Sequence, residues 1–312
     1  MRCKATTALL GLAVLFSAPA VAQNEPSGPV AGDEPVRSAA AGDFFMSSDA
    51  DDTEVYRAGI DLDARHQGPD QYWGVRLEKT WYRPLGNKAV SDERVYLRYA
   101  DKSDDWEWSG RIGTDGDTVL GAASVHNNAR FRQEFFIERE IVETPRGVDE
   151  GIYYTFVGGA IDLPVNDRNS FTLVAGAQEF TGKNVRLHAR ANYVHVLKPE
   201  WGLSAQLRTR YFHSTEPGEY DYYSPEWYAQ LLPVLQVRRY AGGWRYVAAG
   251  GIGAQRDSAS DWRSSRFVAV EVASPAVSDG WSVKAGAQYS NTPLRSGVYD
   301  YLQLSVGLTR VF

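Results

Sequence analysis

The sequence predicts an all-β fold, an antiparallel β-barrel that crosses a membrane with about 16 strands. From Thr53 onward, apolar and polar residues alternate almost without interruption, which is typical of strands with one apolar and one wet face. The alternating segments run for about 10–14 residues, longer than an average sandwich strand and sufficient for a tilted strand to cross a bilayer. No stretch approaches about 18 uninterrupted apolar residues, so we predict no transmembrane helix.

The number of strands follows from where the alternation restarts. Turn residues such as Gly68-Pro69-Asp70 and Asn166-Asp167 separate the segments. About fifteen segments begin near residues 53, 71, 93, 104, 117, 129, 151, 168, 184, 200, 224, 243, 262, 279 and 299. Because bacterial single-chain barrels have an even number of strands, we predict sixteen, with the additional strand near Phe44-Phe45-Met46. Fourteen strands is the alternative.

The first 22 residues have the features of a secretory signal peptide. Arg2 and Lys4 give a positive start, Ala8 to Phe16 form an apolar run, and Ala20-Val21-Ala22 form a small-residue cleavage site. The only cysteine, Cys3, lies in this segment, so the mature chain has no disulfide and no cysteine metal site.

Residues 23–51 are acidic, rich in Ala, Gly, Ser, Pro and Asp, and without periodicity. This composition predicts a disordered periplasmic tail, because such a segment has too little apolar surface to bury. A solvated spacer is the simplest interpretation; a plug of the lumen or a docking segment for an inner-membrane partner are the alternatives. We assign residues 52–312 to the barrel.

Composition is consistent with a membrane barrel. Aromatic residues make up 12% of the chain, with 9 Trp and 18 Tyr, although the mean hydropathy is only −0.39. A membrane barrel reconciles these values because only alternate residues face lipid and because aromatic girdles mark both interfaces. Without Arg2 and Lys4, 31 basic residues stand against 39 acidic ones, so we expect no nucleic-acid partner.

The last strand ends on the chain terminus. Leu302, Leu304, Val306, Leu308 and Phe312 share one parity, whereas Tyr301, Gln303, Ser305, Gly307 and Thr309 share the other. A final strand ending in Phe resembles the C-terminal strand of bacterial outer-membrane barrels. The resemblance implies that Phe312 is an assembly signal read by the barrel-assembly machinery, and that the barrel is surrounded by outer-membrane lipids. Arg310 departs from the pattern, and its stem can extend to the membrane surface.

The inward parity carries charges of both signs together with aromatic residues. A barrel of about 16 strands leaves a lumen wide enough for water and solute. Most of the inward charges are expected to be ion pairs of a wet interior, but this mixture also suits sugars, which stack on aromatic rings and hydrogen-bond to charged groups. The candidate substrate path consists of Arg186, Arg190, Arg208, Arg210, Tyr228, Arg245, Glu271 and Tyr301.

The segment from Glu219 to Tyr228 is the most distinctive in the chain. Its Tyr-Tyr-Ser-Pro-x-x-Tyr run is followed by a long strand, the pair Gly243-Trp244 and the stretch Gly250-Gly251-Ile252-Gly253. Over residues 150–312 this pattern resembles the barrel domain of exopolysaccharide-export porins, which include the cellulose-export, poly-N-acetylglucosamine-export and YaiO-like proteins. The resemblance implies a passive conduit for a polysaccharide, supplied by a periplasmic or inner-membrane synthase complex. The well-known members carry a tetratricopeptide domain before the barrel, whereas this sequence has residues 23–51 between the predicted signal peptide and the barrel.

Two other functions remain as alternatives: a general or substrate-selective diffusion porin, and an outer-membrane lipid-modifying enzyme. The chain has five histidines and no His-Glu-x-x-His, Gly-x-Ser-x-Gly or calcium-loop spacing. A pair of Ser204 with His188 on adjacent strands is conceivable by register but has no supporting motif. We therefore predict that the protein is not an enzyme and has no catalytic residue, metal site or cofactor.

Overall fold

The computed structural model describes residues 37–50, 53–83, 88–275, 280–294 and 297–312. Sixteen antiparallel strands form a closed barrel in which each strand pairs with its neighbours in the chain, and β1 pairs with β16 to close the ring. The predicted fold class and the count of sixteen strands are confirmed. The predicted signal peptide, 1–22, and residues 23–36 of the predicted tail lie outside the described residues.

The strands begin close to the positions expected from the alternation. They are β1 Arg37–Asp49, β2 Glu54–Gly68, β3 Gln71–Arg83, β4 Val90–Lys102, β5 Trp106–Thr114, β6 Val119–Asn127, β7 Gln133–Ile141, β8 Tyr153–Asn166, β9 Asn169–Phe180, β10 Val185–Lys198, β11 Leu203–Ser214, β12 Trp227–Ala241, β13 Trp244–Asp257, β14 Arg263–Ala273, β15 Trp281–Leu294 and β16 Gly297–Val311. One α-helix, α1, covers Pro145–Glu150, and a 3-10 turn covers Pro199–Trp201. Neither described helix is long and apolar enough to cross a membrane.

The predicted tail boundary is wrong over residues 37–49, which form β1. This strand pairs with β16 on one side and with β2 on the other, and it contains the additional strand expected at Phe44-Phe45-Met46. Its alternation is hard to read because Ala and Gly occupy most positions on both faces between residues 39 and 42. Hydrocarbon offers no hydrogen bonds, so β16 and β2 both need a partner, and β1 supplies it. The barrel therefore begins at Arg37 rather than at residue 52.

The two faces of the strands differ as the alternation predicts. Large apolar side chains on the outer face are well exposed, among them Leu97 at 65% and Ile252 at 73%. In β16, Leu302, Leu304, Val306 and Leu308 are exposed in the same way. Inward positions on the same strands carry the charged, amide and aromatic residues. The wet parity of the barrel therefore lines the lumen.

The two rims of the barrel are distinguished by their connections. An even number of strands puts both chain ends at one rim, which also carries short turns such as 69–70, 167–168 and 242–243. The opposite rim carries the two longest connections that the structure describes, 142–152 and 215–226. Outer-membrane barrels place short turns in the periplasm and longer loops outside the cell. We therefore call the second rim the outer rim.

Candidate functional site: the inner wall of the barrel

One part of the inner wall, on β1–β4 and the end of β7, is a network of ion pairs. We call it the paired wall. Four arginines, Arg57, Arg76, Arg94 and Arg98, share the carboxylates of Asp43, Asp61, Asp63, Glu78, Asp92, Glu140 and Glu143.

Within this network, Arg94 lies 2.8 Å from Glu140 and 3.0 Å from Asp92, and its side chain is fully buried. Arg76 lies 2.5 Å from Asp43 and 3.0 Å from Asp61. Each arginine of the paired wall thus has at least two carboxylate partners, and its positive charge is neutralised within the wall.

The opposite part of the inner wall, centred on β10–β12, has a different composition. In register, Arg190 on β10 lies opposite Arg210 on β11, and Asn192 lies opposite Arg208. One strand further, Phe212 lies opposite Tyr228 of β12. Five of the eight predicted path residues (Arg186, Arg190, Arg208, Arg210 and Tyr228) thus share one face of three neighbouring strands. We call this surface the arginine–aromatic wall.

The arginines of this wall contact aromatic rings instead of carboxylates. The guanidinium of Arg186 lies 4.6 Å from the centroid of Phe212 and donates a hydrogen bond to the Tyr223 carbonyl. Arg208 lies 4.7 Å from the Phe267 centroid, and Arg210 lies 5.8 Å from that of Tyr228. Within the described ranges, no carboxylate oxygen comes within 4.0 Å of a side-chain nitrogen of these three arginines. Ring faces attract cations but do not cancel their charge.

The aromatic residues of the wall stack on one another. The rings of Phe212 and Tyr228 are 5.0 Å apart with an interplanar angle of 19°, and those of Phe180 and Tyr222 are 4.3 Å apart at 11°. The sequence analysis missed Phe180, Phe212 and Phe267. Their parity could have identified them in the sequence, because Phe212 continues the inward series of Arg208 and Arg210 at every second residue.

Neutral polar groups fill the spaces between these residues. The Tyr228 hydroxyl donates to Oε1 of Gln255 at 2.9 Å, and Nε2 of Gln230 donates to the Ser265 hydroxyl at 2.8 Å. Nε of Arg208 donates to Oε1 of Gln206 at 2.9 Å. The wall therefore offers hydrogen-bonding amides and hydroxyls beside ring faces and guanidinium groups.

The other three predicted path residues do not join this wall. Arg245 on β13 forms an ion pair with Glu271 on β14, near the periplasmic rim. Tyr301 on β16 lies opposite Asp49 of β1 in register, four strands away from β12. All three face the lumen, but each lies outside the patch on β10–β12.

The structure keeps His188 and Ser204 apart on β10 and β11. His188 lies against the Phe156 ring, and its Nε2 is 3.1 Å from Oε1 of Gln178. In register it lies opposite Phe212, whereas Ser204 lies opposite Val196 near the other end of β10. The conceivable Ser204–His188 pair is therefore not formed.

The connection 142–152, which we call the lid segment, folds inward at the outer rim. It contains α1, whose first turn is capped by Thr144, with the hydroxyl accepting from the Gly147 amide at 2.8 Å. Pro145 occupies the first turn, and the helix ends at Gly151, which adopts a left-handed φ of 67°. The sequence Thr-Pro…Gly thus specifies both ends of this short helix.

The lid segment contacts the paired wall on one side and the connection 215–226 on the other. Glu143 accepts a hydrogen bond from Arg57 of β2 at 2.7 Å, and Val148 packs against the buried cluster of Val55, Tyr82, Tyr96, Leu120, Ile141 and Tyr153. On the other side, Asp221 of the connection 215–226 accepts from the Thr144 hydroxyl at 2.6 Å and from the Arg146 amide at 2.9 Å. The lid segment therefore covers part of the outer opening.

The connection 215–226 is held to its neighbour as well. Glu219 accepts from the amides of Lys183 and Asn184 at 2.8 and 3.0 Å, and the Tyr222 hydroxyl accepts from the Asn184 side chain at 2.9 Å. Burial raises the pKa of Tyr222 to about 12, so its hydroxyl stays protonated at neutral pH. These contacts place the Tyr222 ring over the outer end of the arginine–aromatic wall.

Comparisons with known proteins identify the fold. No protein-family model and no curated protein matches the sequence. Among solved structures, a bacterial polysaccharide outer membrane secretin superposes with a TM-score of 0.67 at 12% identity, covering 89% of this chain and 98% of that one.

Two porin structures match less well. OccAB3 of Acinetobacter baumannii has a TM-score of 0.44 at 8% identity, and an anion-selective porin from Comamonas acidovorans has 0.39 at 12%. Both matches cover 89% of this chain and 99% of the other. The closed ring of sixteen strands and the fold shared with the polysaccharide secretin agree with the predicted location in the bacterial outer membrane. The exopolysaccharide-export type stays a prediction.

Proposed function

We propose that this barrel is a porin-like conduit through which an exopolysaccharide leaves the cell. The observation that carries the proposal is the arginine–aromatic wall. Pyranose rings have an apolar face that packs on aromatic rings, and a rim of hydroxyls that accepts hydrogen bonds from guanidinium and amide groups. This wall presents both kinds of partner side by side.

The wall follows the barrel axis. On β11 the inward series runs from Phe212 at the outer end through Arg210 and Arg208 to Gln206, a path of about 20 Å at the usual rise of a strand. Several consecutive sugar rings can therefore contact it at once. Conduction needs binding that is strong enough for entry yet divided among weak sites, so that the polymer can move on.

The fold of the matching polysaccharide secretin supports the proposal at the level of architecture, because at 12% identity the likeness extends to the fold. We propose further that a periplasmic or inner-membrane synthase complex supplies the polymer and the energy. In the same proposal, the barrel-assembly machinery recognises Phe312 during insertion. The lid segment would then limit the width of the outer opening.

The test is single-channel conductance of the refolded mature chain in a planar bilayer, with oligosaccharides added to one side. Interruptions of a steady current whose frequency rises with oligosaccharide concentration are the expected result. A steady current that no oligosaccharide interrupts would overturn the proposal and favour a diffusion porin. The absence of any current, even after deletion of residues 144–151, would exclude a conduit altogether.

A further inference from the structure

Three arginines of the arginine–aromatic wall, Arg186, Arg208 and Arg210, form no ion pair with a carboxylate of the described residues. Arg186 is only 3% exposed, and Arg210 lies directly opposite Arg190 in the β10–β11 register. A buried cation without a carboxylate partner costs free energy, and like charges directly opposite each other across two strands repel. The positive charge of Arg186 and Arg210 is therefore kept at this place without a carboxylate partner among the described residues.

The inward carboxylates on the strands next to this wall have other partners. Asp257, opposite Tyr228 in register, accepts a hydrogen bond from the Tyr223 hydroxyl at 2.6 Å. Glu271 is paired with Arg245, and the acidic residues of the paired wall are bound by the arginines of that wall. Among the described residues, no carboxylate forms an ion pair with Arg208 or Arg210, so a solute can pair with both.

We propose that the transported polysaccharide is acidic, with carboxylate-bearing sugars that bind Arg208 and Arg210. This inference rests on the proposed function and specifies its substrate class. Both arginines are half-buried and face the lumen, and each has a ring beside it, Phe267 for Arg208 and Tyr228 for Arg210.

The wall thus contains two units, each made of one guanidinium group and one aromatic ring. Each unit matches one uronate residue, because the sugar carboxylate can pair with the arginine while the sugar ring stacks on the aromatic ring. Guanidinium groups bind carboxylates in a bidentate manner that ammonium groups do not reproduce. A neutral polymer would leave the cations unpaired, and a cationic polymer would be repelled. The paired wall, which binds its own charges, offers no comparable site.

The test is calorimetric titration of the full mature chain, refolded in detergent, with three hexasaccharides of similar length. The probes are a hexagalacturonate, a neutral maltohexaose and a cationic chitosan hexamer. We expect the hexagalacturonate to bind most tightly and its affinity to fall as KCl is raised, since salt screens charge pairs. Arg208→Gln and Arg210→Gln should each weaken this binding about tenfold, the loss of one charge-assisted contact.

Lys284→Gln is the matched control, because it removes an inward cation of β15 outside the wall. Its affinity for hexagalacturonate should equal that of the wild type. If either glutamine variant fails to refold, Arg208→Lys and Arg210→Lys replace them. These variants keep the charge but lose the bidentate contact, so we expect them to weaken binding as well.

Equal affinity for the acidic and neutral hexamers, or unchanged affinity in the arginine variants, would overturn the acidic substrate class. In that case saccharide block of the current would still uphold the conduit. Binding of no hexamer, together with an uninterrupted current, would overturn both the substrate class and the proposed function.

Discussion

The two walls of this barrel use arginine in opposite ways. On the paired wall, Arg94 is fully buried and contacts Glu78, Asp92 and Glu140. On the arginine–aromatic wall, Arg186 is equally enclosed but lies among rings and a backbone carbonyl. The same residue type, at the same parity, thus stabilises one side of the lumen and holds unneutralised charge on the other. Under the proposed function, inward charge alone does not distinguish the substrate path; arginines that lack a carboxylate partner among the described residues do.

The largest expected effect concerns the paired wall. Arg94→Gln leaves three carboxylates without their shared cation, and breaking such a buried network costs about 3–5 kcal/mol. We expect this loss in the free energy of unfolding of the refolded barrel, measured by urea titration. Lys79→Gln, which breaks an exposed pair with Glu93 at 2.8 Å, should cost much less, because water screens exposed pairs. Similar losses of unfolding free energy in both variants would mean that the buried network stabilises the barrel no more than an exposed pair does.

The second largest expected effect is on channel opening. It concerns the hydrogen bonds that Asp221 of the connection 215–226 accepts from the lid segment. Asp221→Ala removes two hydrogen bonds to a charged acceptor, each contributing about 1.5–3 kcal/mol. We expect the fraction of time in a high-conductance state to rise at least about tenfold in single-channel records. Asp167→Ala, at an exposed periplasmic turn, is the control and should leave the records unchanged. An unaltered Asp221→Ala channel would mean that the lid segment does not limit the opening.

Saccharide block tests the arginine–aromatic wall directly. Tyr228→Ala or Arg208→Ala should weaken oligosaccharide block of the current by up to about tenfold, the loss of one stacking or one polar contact. The barrel should still refold, as judged by its β-sheet circular dichroism and heat-modifiable migration. Lys284→Ala serves as the control on another strand. If block is the same in both variants as in the wild type, neither residue lies on the path.

The smallest expected effect is a gain in the free energy of unfolding, opposite in sign to the loss expected for Arg94→Gln. Arg210→Gln removes a cation that lies opposite Arg190, and relief of this repulsion should raise the free energy of unfolding by about 0.2–1 kcal/mol. The same urea titration used for Arg94→Gln measures it, with Lys284→Gln as the reference for removal of an isolated charge. A loss of stability in Arg210→Gln would mean that the two walls do not differ in how they balance arginine.

Parity was the part of the architecture that could be predicted without a structure. Alternation along β2–β16 gave the inward face of Arg208, Arg210 and Tyr228, because a strand turns successive side chains to opposite faces whatever its neighbours are. Residues 37–49 were misassigned because their small side chains give little contrast between the two faces. Phe212 and Phe267 were missed although their parity places them inside the barrel. An apolar ring on the inward face can be recognised as part of the site only once the structure shows the arginine beside it.

The sequence by itself determined that this chain crosses the membrane as a barrel of about 16 strands and which residues face its lumen, because both follow from local periodicity. Only the tertiary structure decided which charges meet. Arg76 and Arg210 are alike as inward arginines, yet register and closure place the first beside Asp43 and Asp61 and the second beside Tyr228. Pairing depends on neighbours from distant parts of the chain, and so does the division of the lumen into two walls.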